Sequence, residues 1–147
     1  MAVTVVFFDL GDTLVASDRK WIAGAKALLK DLHQAHLRLG IISNTDGLPD
    51  RAAILKLLPP DFNLSDFEDK LVIFSSEVGV AKPSRAIFDK AVAQIGQPAS
   101  QCLFCGENVI ETLMAQQAGM RALRVLPPPG DLPALSKQIR QFLMLSV

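Results

Sequence analysis

The chain has no net charge to spend on a partner: Lys plus Arg number 15 and Asp plus Glu number 15. No global field therefore draws it to nucleic acid or to an anionic membrane surface, and an anionic substrate would have to be held by a local site. Long hydrophobic runs are also missing. The longest, such as residues 3–8, are far too short to cross a bilayer. No basic stretch precedes that run and an acid follows it at once, so it does not read as a signal peptide, and a cytoplasmic protein is expected. There is no repeat, low-complexity tract or linker, so residues 1–147 are expected to form one domain. No Gly-x-Gly-x-x-Gly follows any apolar run, which disfavours a nicotinamide dinucleotide enzyme. Cysteine is scarce. Cys102 and Cys105 form a Cys-x-x-Cys, but they fall on an apparent strand, where an offset of three sends side chains to opposite faces. Buried thiols are expected there in preference to a redox or metal pair.

What is present is half hydrophobic and one-fifth charged, the composition of a globular chain. Short apolar runs alternate with helical patterns, which is how a parallel sheet covered by helices on both faces is written. Residues 3–10 read as a central strand, apolar on both faces. Trp21, Ala25, Leu28, Leu29, Leu32 and Ala35 recur at helical spacing. Residues 39–43 predict a second strand, and a short helix is expected from about 49 to 58, ended by Pro59 and Pro60. A third strand is expected over 70–74. Ile87, Phe88, Ala91, Val92 and Ile95 mark an amphipathic helix capped by Ser84. Residues 101–105 predict a fourth strand, followed by a helix that closes at Ala118-Gly119, where glycine suits a left-handed position. Residues 121–126 predict the last strand. The prolines at 127–129 then lead to a C-terminal helix carrying Leu135, Ile139, Phe142 and Leu143.

In such sheets ligands bind beyond the carboxyl ends of the strands. Asp9, Gly11, Asp12 and Thr13 follow the first strand; Ser43, Asn44, Thr45 and Asp46 follow the second. Lys82 comes a short loop after the third, and Gly106, Glu107, Asn108 and Glu111 follow the fourth. A carboxylate nucleophile, a hydroxyl, an ammonium and further acids thus share one rim. Those are the parts of phosphoryl transfer: an attacking oxygen, cationic and hydrogen-bonding clamps, and hard oxygens for Mg²⁺. Individually each has a plain alternative. Acids at strand ends are common in turns, Ser43-Asn44 is an ordinary turn pair, and Lys82 alone is a surface charge. Asn108-x-x-Glu111 is equally a capping box and a metal-site acid.

Taken in order, the segments resemble the haloacid dehalogenase superfamily. VVFFDLGDTLV resembles its first motif, LGIISNTDG its second, GVAKPSRAIF its third and LFCGENVIETLMAQQAGM its fourth. The resemblance implies a three-layer α/β/α Rossmann-like core with a parallel five-stranded sheet in the order 5-4-1-2-3. It also implies a Mg²⁺-dependent phosphate-monoester hydrolase working through an aspartyl phosphate. By carry-over Asp9 would be the nucleophile and a metal ligand, and the backbone carbonyl of Gly11 a second ligand. Ser43 would bind the phosphoryl oxygens with Asn44 supporting it. Lys82 would neutralise Asp9 and the transferring group from a wet rim. Glu107 would complete the metal site, with Glu111 as a further metal candidate.

The chain departs from the family pattern in three places. Gly11 stands where the family phosphatases carry the acid that serves as general acid and then base, and Asp12 lies one residue later, pointing elsewhere along an extended chain. Glu107 and Glu111 replace Asp, moving each carboxylate by roughly 1.5 Å, while Mg²⁺ asks for near-ideal octahedral geometry at about 2.0–2.1 Å. Finally, the segments that would carry a cap are too short to make one. Capless relatives act on large substrates or close the site with a neighbouring subunit, so the expected partners are a small-molecule or protein phosphomonoester and a homo-oligomer, with no nucleic acid and no membrane. A catalytically degenerate domain that binds or regulates is the alternative function. A response-regulator receiver is disfavoured because Phe74-Ser75-Ser76, without an acid, ends the third strand. A dehalogenase is disfavoured because that branch carries an aromatic residue at the Gly11 position.

Overall fold

Five strands line up in parallel in a computed structural model that describes residues 3–125 and 132–145, and the inner strands are short apolar runs that bury both faces, while the edge strand over 121–124 is only partly covered. The strands are β1 (Val5–Phe8), β2 (Arg38–Ser43), β3 (Val72–Phe74), β4 (Cys102–Gly106) and β5 (Arg121–Arg124), in the order β3-β2-β1-β4-β5. This is the expected order read from the other edge. Alternation along β1 divides the core. Val6 and Phe8 join one apolar cluster with Leu28, Leu32 and Ile139, while Val5 and Phe7 join another with Ile87, Phe88 and Ala115. Cys102 faces the second cluster and Cys105 the first; both are free and buried. Burial pushes the Cys102 thiol up to about 12 and raises that of Cys105 as well, so neither is a reactive thiolate.

The helices are α1 (Ala25–Gln34), α2 (Arg51–Leu55), the single turn α3 (Ser75–Val78), α4 (Arg85–Ile95), α5 (Val109–Gln117) and α6 (Leu132–Leu145). Ser84 caps α4 by accepting a hydrogen bond from the Ala86 N–H at 3.2 Å, as its sequence predicts. Gly119 closes α5 in a left-handed conformation, φ 95°. Trp21, expected to open α1, lies outside it. Gly24 (φ 89°) interrupts the chain before Ala25, and Trp21 instead pairs with Val15 across a small hairpin that follows β1. The helix expected over 49–58 is only five residues long, because a turn after Leu55 precedes the two prolines. The strand expected over 70–74 begins at Val72, since Asp69–Leu71 form a 3-10 turn.

No cap domain stands among the described residues: the hairpin and α1 fill the β1–β2 connection, while α2 and two 3-10 turns fill the next. No helix among them is long and apolar enough to cross a membrane. The prolines at 127–129, Leu126 and the side chains of Phe142 and Leu143 lie outside the described residues.

Candidate active site

The carboxyl ends of β1 and β4 meet at Asp9. Its N–H donates to the Cys105 carbonyl at 3.1 Å, carrying the strand pairing one residue past β1. Its Oδ1 accepts from the Leu10 N–H at 2.8 Å. Beside it, Gly106 leaves no room for a side chain. A Cβ there would lie 2.9 Å from the Phe104 ring and 3.7 Å from Asp9 Cβ, so glycine lets β4 end close against the carboxylate.

Lys82 reaches this point from the loop before α4. Its Nζ lies 2.8 Å from Asp9 Oδ1 and 2.8 Å from Glu111 Oε1, and 5.8 Å from the centre of the Phe104 ring. The side chain is only 2% exposed, so the expected wet rim is corrected: the ammonium is buried between two carboxylates. The cause is a neighbour that sequence reasoning assigned elsewhere. Asn44, expected to support Ser43, donates from Nδ2 to the Lys82 carbonyl at 3.0 Å and accepts the Lys82 N–H on Oδ1 at 2.8 Å. This two-point bracket draws the loop inward over the sheet.

Glu111 had two rival readings. Asn108 does cap α5, accepting the N–H groups of Ile110 and Glu111 at 2.9 and 3.1 Å. The Glu111 carboxylate, however, is spent on Lys82 and not on a reciprocal cap. Its Oε1 is buried and meets Lys82 as an ion pair. Burial holds the Glu111 carboxyl above its ordinary range, and the charges of Asp9 and Glu107 push the same way against Lys82.

Ser43 ends β2, 7% exposed, beside a groove that Gly11 and Asn44 also line. A clasp absent from the sequence expectations holds this loop. Ser75 Oγ accepts the Thr45 N–H at 2.7 Å and donates to Asp46 at 2.9 Å, while the Thr45 and Ser76 hydroxyls lie 2.7 Å apart. The available signal was the run of two serines directly after β3. Thr13 Oγ1, beneath the first loop, is buried without a partner among the described residues.

A divalent cation would find hard oxygens here. The Leu10 N–H and the Lys82 ammonium both meet the Asp9 carboxylate at Oδ1, leaving Oδ2 without a hydrogen bond or ion pair among the described residues. The Gly11 carbonyl accepts none of their backbone hydrogen bonds, and Glu107 lies close enough for its charge to act on Glu111. No three acidic, His or Cys side chains among the described residues form a closed cage. Mg²⁺ is usually held by one or two carboxylates with water and substrate oxygens completing the shell.

Comparison with known proteins bears on the family and the fold. The family model for haloacid dehalogenase-like hydrolases matches residues 9–119. A pyrimidine 5′-nucleotidase of Escherichia coli (strain K12) is 38% identical over 88 residues, 59% of this chain and 36% of that protein. A glyceraldehyde 3-phosphate phosphatase of Pyrococcus abyssi (strain GE5 / Orsay) is 32% identical over 103 residues, 69% of this chain and 41% of that protein. The matched part thus spans less than half the length of either relative. Among solved structures, an uncharacterized protein from Corynebacterium glutamicum superposes with TM-score 0.72 at 19% identity, covering 97% of this chain and 96% of that one. A Bacteroides thetaiotaomicron enzyme of the same superfamily, complexed with magnesium and inorganic phosphate, gives TM-score 0.67 at 15% identity, covering 91% and 99%. At such identities these two likenesses concern the fold.

Proposed function

The chain belongs to the haloacid dehalogenase-like hydrolases, and from that premise we propose that it is a Mg²⁺-dependent phosphate-monoester hydrolase in which Asp9 carries the phosphoryl group. The observation that supports this best is the buried ammonium of Lys82, 2.8 Å from Asp9 Oδ1, with its backbone bracketed by Asn44. A surface lysine needs no such mounting. A lysine that must stay beside a nucleophile while charge builds on a phosphoryl group does.

In this reading Asp9 attacks phosphorus, the ester oxygen leaves, and water then cleaves the aspartyl phosphate and restores Asp9. Ser43 donates to a phosphoryl oxygen, and Lys82 offsets the negative charge shared by Asp9 and the transferring group. Glu111 orients Lys82. Asp9, the Gly11 carbonyl and Glu107 would hold the Mg²⁺, which when bound screens the charge of the phosphoryl oxygens and so lets the anionic carboxylate approach. Gly11 supplies no acid to the leaving oxygen and no base to the water. Turnover is therefore expected to be slow on alkyl esters.

The test is phosphate release from alkyl and aryl phosphomonoesters with and without Mg²⁺, together with acid-stable trapping of protein-bound phosphate. Release that needs Mg²⁺, with label lost in Asp9→Asn, supports the reading. Absence of both release and label under Mg²⁺ would leave the binding or regulatory alternative in its place.

A further inference from the structure

The groove beside Ser43 has two ends of different chemistry. It measures about 340 Å³, near the small end of the usual ~300–1,000 Å³ range for ligand pockets. The end at the tips of β1 and β2 is polar, formed by the loops that carry Gly11, Asp12, Ser43, Asn44 and Thr45. Beyond them the walls turn apolar: Val15 from the hairpin after β1 faces Leu48, Ile54, Leu57 and Leu58 from the α2 segment. Val15, Ile54 and Leu58 are core residues, 3%, 3% and 6% exposed, while Leu57 stands at the mouth, 55% exposed. In this outer part the polar lining comes from Ser17 and Arg19.

The width of the groove is built in. Arg19 Nη2 donates to the Leu58 carbonyl at 3.2 Å, stitching one wall to the other. A little further along, the Trp21 indole N–H donates to Asp61 at 2.7 Å and the ring stacks on Phe62 with centroids 5.3 Å apart. Hairpin and α2 segment are thus tied together before any ligand arrives, which favours a compact, rigid occupant over one that must pry the walls apart.

We infer that this groove is the leaving-group subsite and that it selects phosphomonoesters with a compact apolar body, above all an aromatic ring, over those of polyols, sugars or nucleosides. The inference rests on the phosphatase reading, since it makes the polar end the place of the phosphoryl group. Hydroxyls of a polyol entering the outer part would give up water for leucine and valine side chains, and each unpaired hydroxyl opposes binding. A ring gains from the same walls, and the planar guanidinium of Arg19 at the rim favours an aromatic face. The names of the two curated relatives point to a nucleotide and a triose phosphate as their own substrates. The apolar wall from Leu48 to Leu58 argues for a different body here.

Benzyl phosphate, glycerol 3-phosphate and uridine 5′-monophosphate test this on the full chain with Mg²⁺. All three expel an alkoxide, so an aryl leaving group cannot mimic a preference for the ring. Benzyl phosphate is expected to exceed both others in kcat/KM by about tenfold or more. Leu57→Asp, at an exposed position and checked for an unchanged melting curve, should collapse that ratio. Equal or better turnover of the glycerol or uridine ester overturns the inference while leaving the phosphatase reading intact. If no ester is hydrolysed and no phosphate is trapped on the protein, the phosphatase reading fails, and calorimetry decides whether the groove still prefers an apolar body. Benzylphosphonate binding about tenfold tighter than methylphosphonate supports it, whereas equal or undetectable binding of the two overturns it.

Discussion

The side-chain amide of Asn44 holds the backbone of Lys82 at both ends, accepting its N–H at 2.8 Å and donating to its carbonyl at 3.0 Å. Removing the amide strands two polar groups, each costing about 1–3 kcal/mol if buried, and frees the loop that aims the ammonium. Asn44→Ala is therefore expected to lower kcat by up to about 10²-fold, with a smaller change in KM. Asn44→Asp keeps the acceptor for the N–H but turns an oxygen on the carbonyl, so it should rescue only part of the loss. Wild-type turnover in Asn44→Ala would show that the bracket does not position Lys82.

Lys82→Ala should cost stability as well as activity. It would leave Asp9 and Glu111, with side chains 12% and 14% exposed, facing each other without their shared cation. Breaking a buried pair in this way costs roughly 3 kcal/mol. Urea unfolding in EDTA should show the loss at neutral pH and its reduction in acid, where protonated carboxyls no longer need the ammonium. The double variant Lys82→Ala/Glu111→Gln should recover part of it. An unchanged unfolding midpoint for Lys82→Ala would mean that the ammonium contributes to chemistry alone.

How much of this was open to sequence reasoning depends on distance along the chain. Strand identity followed from local apolar runs, and Ser84, Asn108 and Gly119 act within a few residues of themselves, so their roles as caps were legible. The placing of Asp9, Ser43 and Lys82 at successive strand ends was legible too, because parallel topology turns order into position. The bracket on Lys82 was not: Asn44 and Lys82 are 38 residues apart, and nothing local distinguishes a loop-supporting amide from one that grips another loop. Glu111 was undecidable for a different reason. At its place on α5 a carboxylate can turn back to the cap, towards a metal or towards an ammonium, and only the fold supplies Lys82 as the nearest charge. Trp21 kept helical spacing with Ala25, but the left-handed Gly24 between them breaks the helix there.

Glu111 makes stability depend on pH in a direction opposite to that of an ordinary ion-paired acid. Its carboxyl is raised in the folded protein above the ordinary value of 4.5, chiefly by burial. The folded state then holds more protons than the unfolded state between those two values, so its contribution to stability is full below about pH 4.5 and is lost as pH rises through the folded value. In metal-free buffer the difference in unfolding free energy between wild type and Glu111→Gln should therefore shrink as pH rises through this window, then level off. A difference that grows over the same interval would mean that Lys82 outweighs burial and that the Glu111 carboxyl is depressed.

Gly11 offers the sharpest test of the chemistry, because the structure leaves room to restore what the chain lacks. A Cβ built at Gly11 meets nothing within 4 Å, and the residue is outside the left-handed region that only glycine occupies with ease. Asp12, by contrast, is itself left-handed (φ 61°) and exposed, with its N–H donated to the Val15 carbonyl at 2.9 Å. An acid at position 11 would protonate the leaving alkoxide and then activate the water that cleaves the aspartyl phosphate, help typically worth about 10²–10⁴-fold. An aryl oxide leaves without a proton, so the first step loses little on an aryl ester, whereas the second step is starved of a base whatever the substrate. Gly11→Asp is thus expected to raise turnover of an alkyl phosphate by about tenfold or more. Its gain on an aryl phosphate should come through faster loss of protein-bound phosphate. Single-turnover kinetics with both esters, with Mg²⁺ present, separates the two steps. If wild type already hydrolyses the alkyl ester briskly and Gly11→Asp only slows it, the acid is supplied from elsewhere. Asp12, which lines the same groove, would then be the first residue to replace.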